Sequence, residues 1–487
     1  MKSFKWVSIM GLCLSIWFFS LGVKAEKKPV TITVWDWWVV QSKFLNNEIS
    51  LFEKENPHIK IKRTITANNR YTTLVEMAER GDSMADIIAI DGGKFYEWVK
   101  AGFFHPITKW TGPAFIKRYP RGAFLPGVNT YKGDIYTFPV NGLSYWCQFY
   151  LNRDVFRKAG LVDKSGKVLY PKTWSDVRKY ARTITEKGKG DYYGFGICAR
   201  PDGMVACFFY EWARVAGARN ADGSTGFLLD VDLKTGRFDF TDPAYMKMFK
   251  FLLDITADGS VYPGYLSMED EILRAAFADG KIGMIMGGIW NQQGWSGTHK
   301  NFTEYDCLMI PPYDSTGYKA FSDTSVAGSY YAMSSDTKHP EEAWKFLEWF
   351  TKIDTGIRYV EMGQGPSIFE EANRKAKIKT PQMRQYIELS AKYAKQHPSA
   401  VLRNPELAFV SFKQPMPNSV GVFWGILSRQ IPEKEIPGAL KDMQDRYNKA
   451  LDEAFAKAIA DGYKVSLGDL IFPDWNPLEH YETKPGR

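Results

Sequence analysis

Hydrophobic and polar positions alternate along this chain with two periods, one of strands and one of helices. Val30 to Trp35 alternates as a strand, Asn46 to Glu55 carries the apolar spacing of a helix closed by Pro57, and Ile59 to Thr66 alternates again. Tyr71 to Arg80 reads as a helix stopped by Gly81. Asp86 to Ile90 is short and almost continuously apolar, the pattern of a strand buried on both faces, and a helix over Lys94 to Ala101 follows. Strands alternating with helices predict a doubly wound α/β layer, whose ligands bind beyond the carboxyl ends of the strands. Trp35-Asp36-Trp37-Trp38 and Asp91-Gly92-Gly93-Lys94 stand at two such ends.

The pattern changes over Tyr131 to Phe156. Lys132-Gly133 is a turn signal, alternation ends at Phe138-Pro139-Val140, and Asn141-Gly142 supplies a tight bend. A second strand-like run, Tyr145 to Leu151, follows at once, and Asn152 caps a short helix over Arg153 to Ala159. Two strands joined without a helix, between αβ-patterned regions, predict a crossover between two lobes, with a ligand cleft beside it. Further on, Thr173 caps a helix over Ser175 to Glu186 and Tyr193 to Ile197 reads as a strand. Phe208 to Val215 is a helix, Asp222 to Phe240 has the glycine punctuation of a hairpin, and Pro243 to Thr256 and Met268 to Ala278 are helices. Ile282 to Met286 is a buried strand ended by Gly287-Gly288. Tyr305 to Pro312 is a strand ending in a second crossover at Pro311-Pro312. Ser329 to Ser334 is another strand, Pro340 to Thr351 a helix, and Glu361 to Pro366 a third break. The remainder reads as helical, including an amphipathic Ile436 to Ala460.

Composition narrows the class. A chain of 487 residues exceeds one ordinary domain, and 45% hydrophobic with 24% charged residues is globular. The 16 tryptophans suit both core packing and stacking on the apolar faces of a sugar. A net charge of +8 with no basic run and no RNA-reading motif argues against nucleic acid. Lys2 and Lys5 precede an apolar run over Trp6 to Val23, and Val23-Lys24-Ala25 offers small residues for cleavage, so residues 1–25 read as a signal peptide and the chain as exported. The rival is an uncleaved anchor; a lipid on Cys13 is disfavoured by Leu12 before it. Cys147, Cys198, Cys207 and Cys307 remain, and a Cys198–Cys207 bridge and buried thiols both stay open. No cysteine or histidine spacing suits a metal, Asp222-Gly223-Ser224 lacks the further carboxylates of a calcium loop, and no cofactor is expected. Asp36, Asp91 and Glu211 could furnish the carboxylate pair of a glycoside hydrolase, but no catalytic motif accompanies them.

Residues spread through the chain carry a resemblance. They are Ile32-Thr33-Val34-Trp35, the run Phe52 to Ile61, Gly81-Asp82 with Ala85 to Ile88, and Phe138-Pro139-Val140 with Leu151 to Asp154. Pro171 to Trp174, Phe277 to Met284 leading to Trp290, His339 to Leu347, and Phe423-Trp424 complete it. In order and spacing they resemble the extracellular solute-binding proteins of ABC importers, family 1, the cluster containing maltodextrin-binding proteins. The resemblance implies an α/β, type II-like periplasmic-binding-protein fold, each lobe a sheet flanked by helices, hinged at three crossovers. The N-terminal lobe would span 26–142 and 313–362, the C-terminal lobe 143–312 and 363–487. It further implies a periplasmic monomer that closes on a carbohydrate and delivers it to permease subunits served by a separate ATPase. In keeping with that division, the chain has no GxxxxGK[ST] loop.

The same resemblance suggests where ligand binds. Trp290 and Trp424 align with sugar-stacking tryptophans, and Trp35, Asp36 and Trp37 end the first strand. Asp91 and Lys94 fall near the family's polar contacts, Asn141 and Tyr145 at the first crossover, Glu211 on a helix, and Gln364 at the third break. The family's Trp, Asp and Arg near Asp91 become Ile90, Gly93 and Lys94 here, and Tyr145-Trp146 replace an acidic residue, which argues against maltodextrin itself. A phosphorylated polyol ranks second, on Lys94 and the glycine turn before a helix; an exported hydrolase ranks third.

Overall fold

The computed structural model describes residues 28–484 except 82, 92–93, 146, 201–202, 221–230 and 322; the side chains of 68–69, 203–207 and 323–324 are also left undescribed. Two four-stranded sheets organise the chain. In the first, Val30–Asp36 lies between Ile59–Ile65 and Ile87–Ala89, parallel to both, and Tyr331–Met333 joins antiparallel at the edge. Register runs from Val30 opposite Ile59 to Asp36 opposite Ile65, so Ile32, Val34 and Asp36 all face inward and are buried. The second sheet has the order Tyr305–Leu308, Gln148–Asn152, Ile282–Gly287, Tyr193–Gly196, with its central strand continuously buried. Asn152 ends the Gln148–Asn152 strand and accepts from the amides of Asp154 and Val155, starting the next helix as expected of a cap. Thr173 and Asp176 form a capping box at Trp174–Gly188.

Each sheet has its own core. The first cluster draws on Ile32 to Phe138 and Val326 to Ala372, the second on Tyr145 to Ile310 and Met383 to Trp475. Leu143, between the two, packs against both. The chain passes from the first core to the second over Val140 to Ser144, where Asn141 bridges antiparallel to Ser367 and does not form the tight bend expected of Asn141-Gly142. The third falls later than 362: Ile368, Phe369 and Ala372 belong to the first core, because helix Glu370–Lys375 packs on helix Ile353–Glu361 before the chain returns. A break in apolar periodicity marks the turn there but not the lobe to which the next helix attaches.

Several elements differ from their sequence reading. The first helix starts at Ser42, and a one-turn 3-10 segment, Val39–Gln41, precedes it. The strand expected from Tyr145 begins only at Gln148, and helix Gly203–Val215 starts before Phe208. Ile289–Thr298 is a helix that its flat apolar pattern did not announce. Of the hairpin expected over Asp222 to Phe240, Val231–Asp232 pairs with Arg237–Phe238. Residues 221–230, with the calcium-like Asp222-Gly223-Ser224, lie outside the described residues, as do the leader, Cys13, Trp146 and the side chain of Cys207. Cys147, Cys198 and Cys307 are buried. Among the described residues no helix is long and apolar enough to cross a membrane, and no group of His, Cys, Asp or Glu is placed to hold a metal.

Candidate functional site

Where the chain first passes between lobes, the crossover runs antiparallel to residues 366–368 of the first lobe. Gly142 donates its amide to Pro366 O at 2.8 Å, Ile368 donates to Val140 O at 2.8 Å, and Asn141 bridges Ser367. A Cβ on Gly142 would lie 2.4 Å from Ser367 O, so this backbone approach requires glycine. Asn141 is exposed, with its Oδ1 accepting from the Tyr359 hydroxyl.

Beside this hinge the lobes touch. The 3-10 segment Val39–Gln41, just past the carboxyl end of the first strand, lies against helix Ile289–Thr298, just past the carboxyl end of the central strand of the other sheet. Gln293 of that helix donates to the carbonyl of Gln364 of the first lobe at 3.2 Å. Asn291, Gln292 and Gln293 are buried along this helix, as is Gln364. The strand-end rule thus brings both sheets to one polar seam.

Trp37, Trp38 and Trp290 stand on or next to the elements that form it. Trp37 and Trp38 are half-buried; Trp37 lies 4.7 Å from Tyr71 between ring centroids, and Trp38 stacks on Tyr330 at 4.8 Å. Trp35 is also half-buried, on the strand itself, its carbonyl accepting from the Tyr71 hydroxyl at 3.0 Å. In the second lobe Trp290 Nε1 donates to Asp270 Oδ2 at 2.6 Å and Trp424 Nε1 to Leu266 O at 3.1 Å. Both indoles are therefore fixed to one stretch, Leu266 to Asp270, and both rings are only partly buried. A Cβ on Gly288 would fall 1.9 Å from the Trp290 ring, so a side chain there would displace the indole.

Other candidates have internal duties. Asp36 is fully buried: Arg63 grips it with Nε and Nη2, each at 2.6 Å, Tyr331 donates its hydroxyl at 2.8 Å, and the Trp38 amide donates at 2.9 Å. Burial works against the Arg63 charge, but the hydrogen bond and charge of Asp36 outweigh it and push the guanidinium pKa up. Arg63 Nη2 also donates to Trp38 O at 2.9 Å, so this pair positions the Trp37-Trp38 segment and leaves Asp36 no open face for a ligand. Tyr145 is fully buried in the second core, its hydroxyl against Cys307 Sγ at 3.2 Å and donating to Leu308 O; burial drives its pKa well up. Glu211 is buried and paired with Arg214 at 2.5 Å. Asp91 accepts from Thr72 at 3.3 Å, and Lys94 lies between Glu97 at 2.8 Å and Glu76 at 3.4 Å. The Glu97 hydrogen bond raises the Lys94 pKa and commits its charge locally.

The described site residues missed by sequence reasoning are Gln41, Trp38, Arg63, Asn291 and Gln293 as a group. The Trp35 to Trp38 run and the Asn291 to Gln293 run stood at strand ends, which was the available signal; nothing in Val39-Val40-Gln41-Ser42 marks Gln41.

A model of the bacterial extracellular solute-binding protein family matches residues 38–355. The chain is 23% identical over 360-odd positions or more to curated relatives, among them a multiple sugar-binding protein of Streptococcus mutans, aligned over 377 residues, 75% of this chain and 83% of that one. It is 26% identical over 212 residues to an sn-glycerol-3-phosphate-binding periplasmic protein of Brucella abortus, 41% of this chain and 42% of that one. The fold is similar to that of the GacH receptor of Streptomyces glaucescens, solved unliganded and with acarbose: TM-score 0.65, 17% identity, 88% of this chain and 100% of that one. This protein belongs to the bacterial extracellular solute-binding protein family.

Proposed function

We propose that this chain is the substrate-binding component of an ABC importer, closing its two lobes on a sugar or oligosaccharide and presenting it to membrane permease subunits. The observation that carries the reading is the pairing of partly exposed indole rings, Trp37 and Trp290, with buried carboxamides on the elements where the lobes meet, Trp424 being tied to the same 266–270 stretch as Trp290. A sugar needs both. Its hydroxyls exchange water for amide partners at little net gain, while its C–H faces gain by burial on a flat apolar ring. A multiple sugar-binding relative and the acarbose-binding receptor of the same fold support it.

Titration calorimetry of the purified chain with maltose, raffinose and a chitin oligosaccharide tests this reading. Saturable heat, with the sugar recovered chemically unchanged, is the expected result. A shortened sugar would instead favour hydrolysis by a carboxylate pair. Export fits the same role: a mature chain starting at Glu26 in the periplasm is expected, and an intact mass that retains Met1 to Ala25 would contradict cleavage. The second reading, a phosphorylated polyol, rests on the glycerol-3-phosphate-binding relative.

A further inference from the structure

Three carboxamide atoms, on residues of the segments that meet at the interlobe seam, are buried and have no partner among the described residues: Gln41 Oε1, Gln364 Oε1 and Asn291 Nδ2, the last beside Gly287 at the end of its strand. They come from three separate stretches of the chain, Gln41 and Gln364 in the first lobe and Asn291 in the second. The segment of Gln41 abuts the helix of Asn291, and that helix reaches Gln364 through Gln293. The amide orientations are set by the other end of two of them. Gln364 Nε2 donates to Met362 O at 3.2 Å, which leaves its oxygen as the orphan, and Asn291 Oδ1 faces Arg274 Nη1 at 3.5 Å, which leaves its nitrogen. Orphaned buried polar atoms are rare in native proteins, and each costs the free energy of a lost hydrogen bond. Three in one seam between lobes mark a surface completed by something else.

The chemistry of the missing partner follows from donor and acceptor count. Two of the orphans accept and one donates. A phosphate or carboxylate oxygen accepts only, so it would satisfy Asn291 and leave Gln41 and Gln364 facing negative charge. An ammonium donates only. A hydroxyl does both. The charges bordering the seam are likewise spoken for: Arg63 is matched to Asp36 at 2.6 Å, and Arg274 to Asp270 at 3.1 Å. Neither guanidinium is left over to balance an anion.

We infer that Gln41, Asn291 and Gln364 form a specificity-determining carboxamide seam that selects an uncharged, hydroxyl-bearing ligand over an anionic one. The inference rests on the sugar-binding reading and sharpens it by rejecting phosphorylated polyols and acidic sugars. It also assigns Gln41 and Asn291 to the site.

Calorimetry with maltose, raffinose, a chitin oligosaccharide and sn-glycerol 3-phosphate, on the parent chain and on Gln41→Met and Gln364→Met, tests it, beside melting of each unligated protein. Methionine keeps the length and apolar stem but removes the acceptor. The expected result is binding of a neutral probe, no heat from glycerol 3-phosphate, and affinity for the neutral probe about tenfold weaker in each variant. The unligated melting temperature of Gln41→Met should stay level or rise, since an orphaned acceptor stabilises nothing; Gln364→Met also loses the Nε2 bond to Met362 O and is read by affinity alone. Normal affinity in both variants, or a lowered unligated melting temperature in Gln41→Met, would overturn the seam while leaving sugar binding intact. Heat from glycerol 3-phosphate alone, or from no probe, would overturn the seam and the sugar reading together.

Discussion

Arg63 and Trp290 illustrate how differently a single side chain contributes here. Arg63 and Asp36 are both buried, with side-chain exposures of 6% and 0%, and every polar contact of the carboxylate is internal. Removing one partner of such a pair strands a charge in a low-dielectric interior, which typically costs 3–5 kcal/mol. Arg63→Met is therefore expected to lower unfolding free energy by about that amount, measured by denaturant titration, and to loosen Trp37-Trp38 as well. Trp290 is the opposite case. Its ring is partly exposed, so truncation removes contact with a ligand more than contact with a core. Trp290→Ala should weaken sugar binding by on the order of 2–4 kcal/mol, the range of buried aromatic anchors, with a much smaller loss of unligated stability. A large fall in melting temperature with near-normal affinity would place this ring in the core instead.

Helix Trp174–Gly188 is held to its neighbour by Arg178, which grips Asp258 through Nε at 2.6 Å and Nη2 at 2.9 Å and reaches Asp254 at 2.7 Å. The Arg178 hydrogen bond holds the Asp258 carboxyl below its ordinary value of 3.8. A carboxyl depressed in the folded state stabilises the protein above its unfolded pKa and loses that contribution as pH falls through the folded value. Arg178→Gln should therefore melt lower than the parent near neutrality, and the gap should narrow below about pH 4. Melting temperatures followed from pH 7 to pH 2 check it; a gap that widens in acid would refute the assignment. The crossovers offer a second test at this scale. Gly142→Ala places a methyl against the Ser367 carbonyl, and backbone cannot yield as a flexible side chain can. The pairing of Val140 to Gly142 with Pro366 to Ile368 should loosen, with weaker ligand binding seen by calorimetry, while circular dichroism still shows both lobes folded because each core draws mainly on residues outside this crossing.

At the scale of the whole molecule, two cores joined by thin crossovers make bending the softest motion available, because few contacts must break for one lobe to rotate on the other. A ligand that touches both lobes favours the closed arrangement by its differential affinity and by nothing else. Small-angle scattering is expected to show a smaller radius of gyration with bound sugar than without. An unchanged radius at saturating sugar would mean that the seam is already closed without ligand and that binding uses another entrance. Bracing near the C-terminus bears on the same motion. Arg121 of the first lobe pairs with Glu482 and donates to Thr483 O at 3.2 Å, while Thr483 Oγ1 accepts from Ser399 at 2.9 Å. These ties link residues 482 and 483 to both lobes.

What the sequence determined by itself was everything governed by local periodicity and local capping. The two-period alternation, the caps at Asn152 and Thr173 and the buried strands Ile87–Ala89 and Ile282–Gly287 each follow from neighbours within a few residues, and each stands in the structure, whereas Asn141-Gly142, read as a tight bend, instead bridges antiparallel to Ser367. The strand-end rule likewise directed attention to Trp35 to Trp38. Only tertiary structure decided which of those side chains were already spoken for. Asp36 looked like a ligand acceptor until Arg63, 27 positions away, and Tyr331, 295 away, were found on it. Tyr145 looked like a crossover contact until Cys307 and Leu308 enclosed it. Gln41 carried no local signal, because its importance comes from facing a helix some 250 residues further along, and that distance leaves no trace in periodicity. A polar side chain's role depends on whether the fold supplies it a partner, and partners are assigned by long-range packing, which the order of residues encodes only jointly.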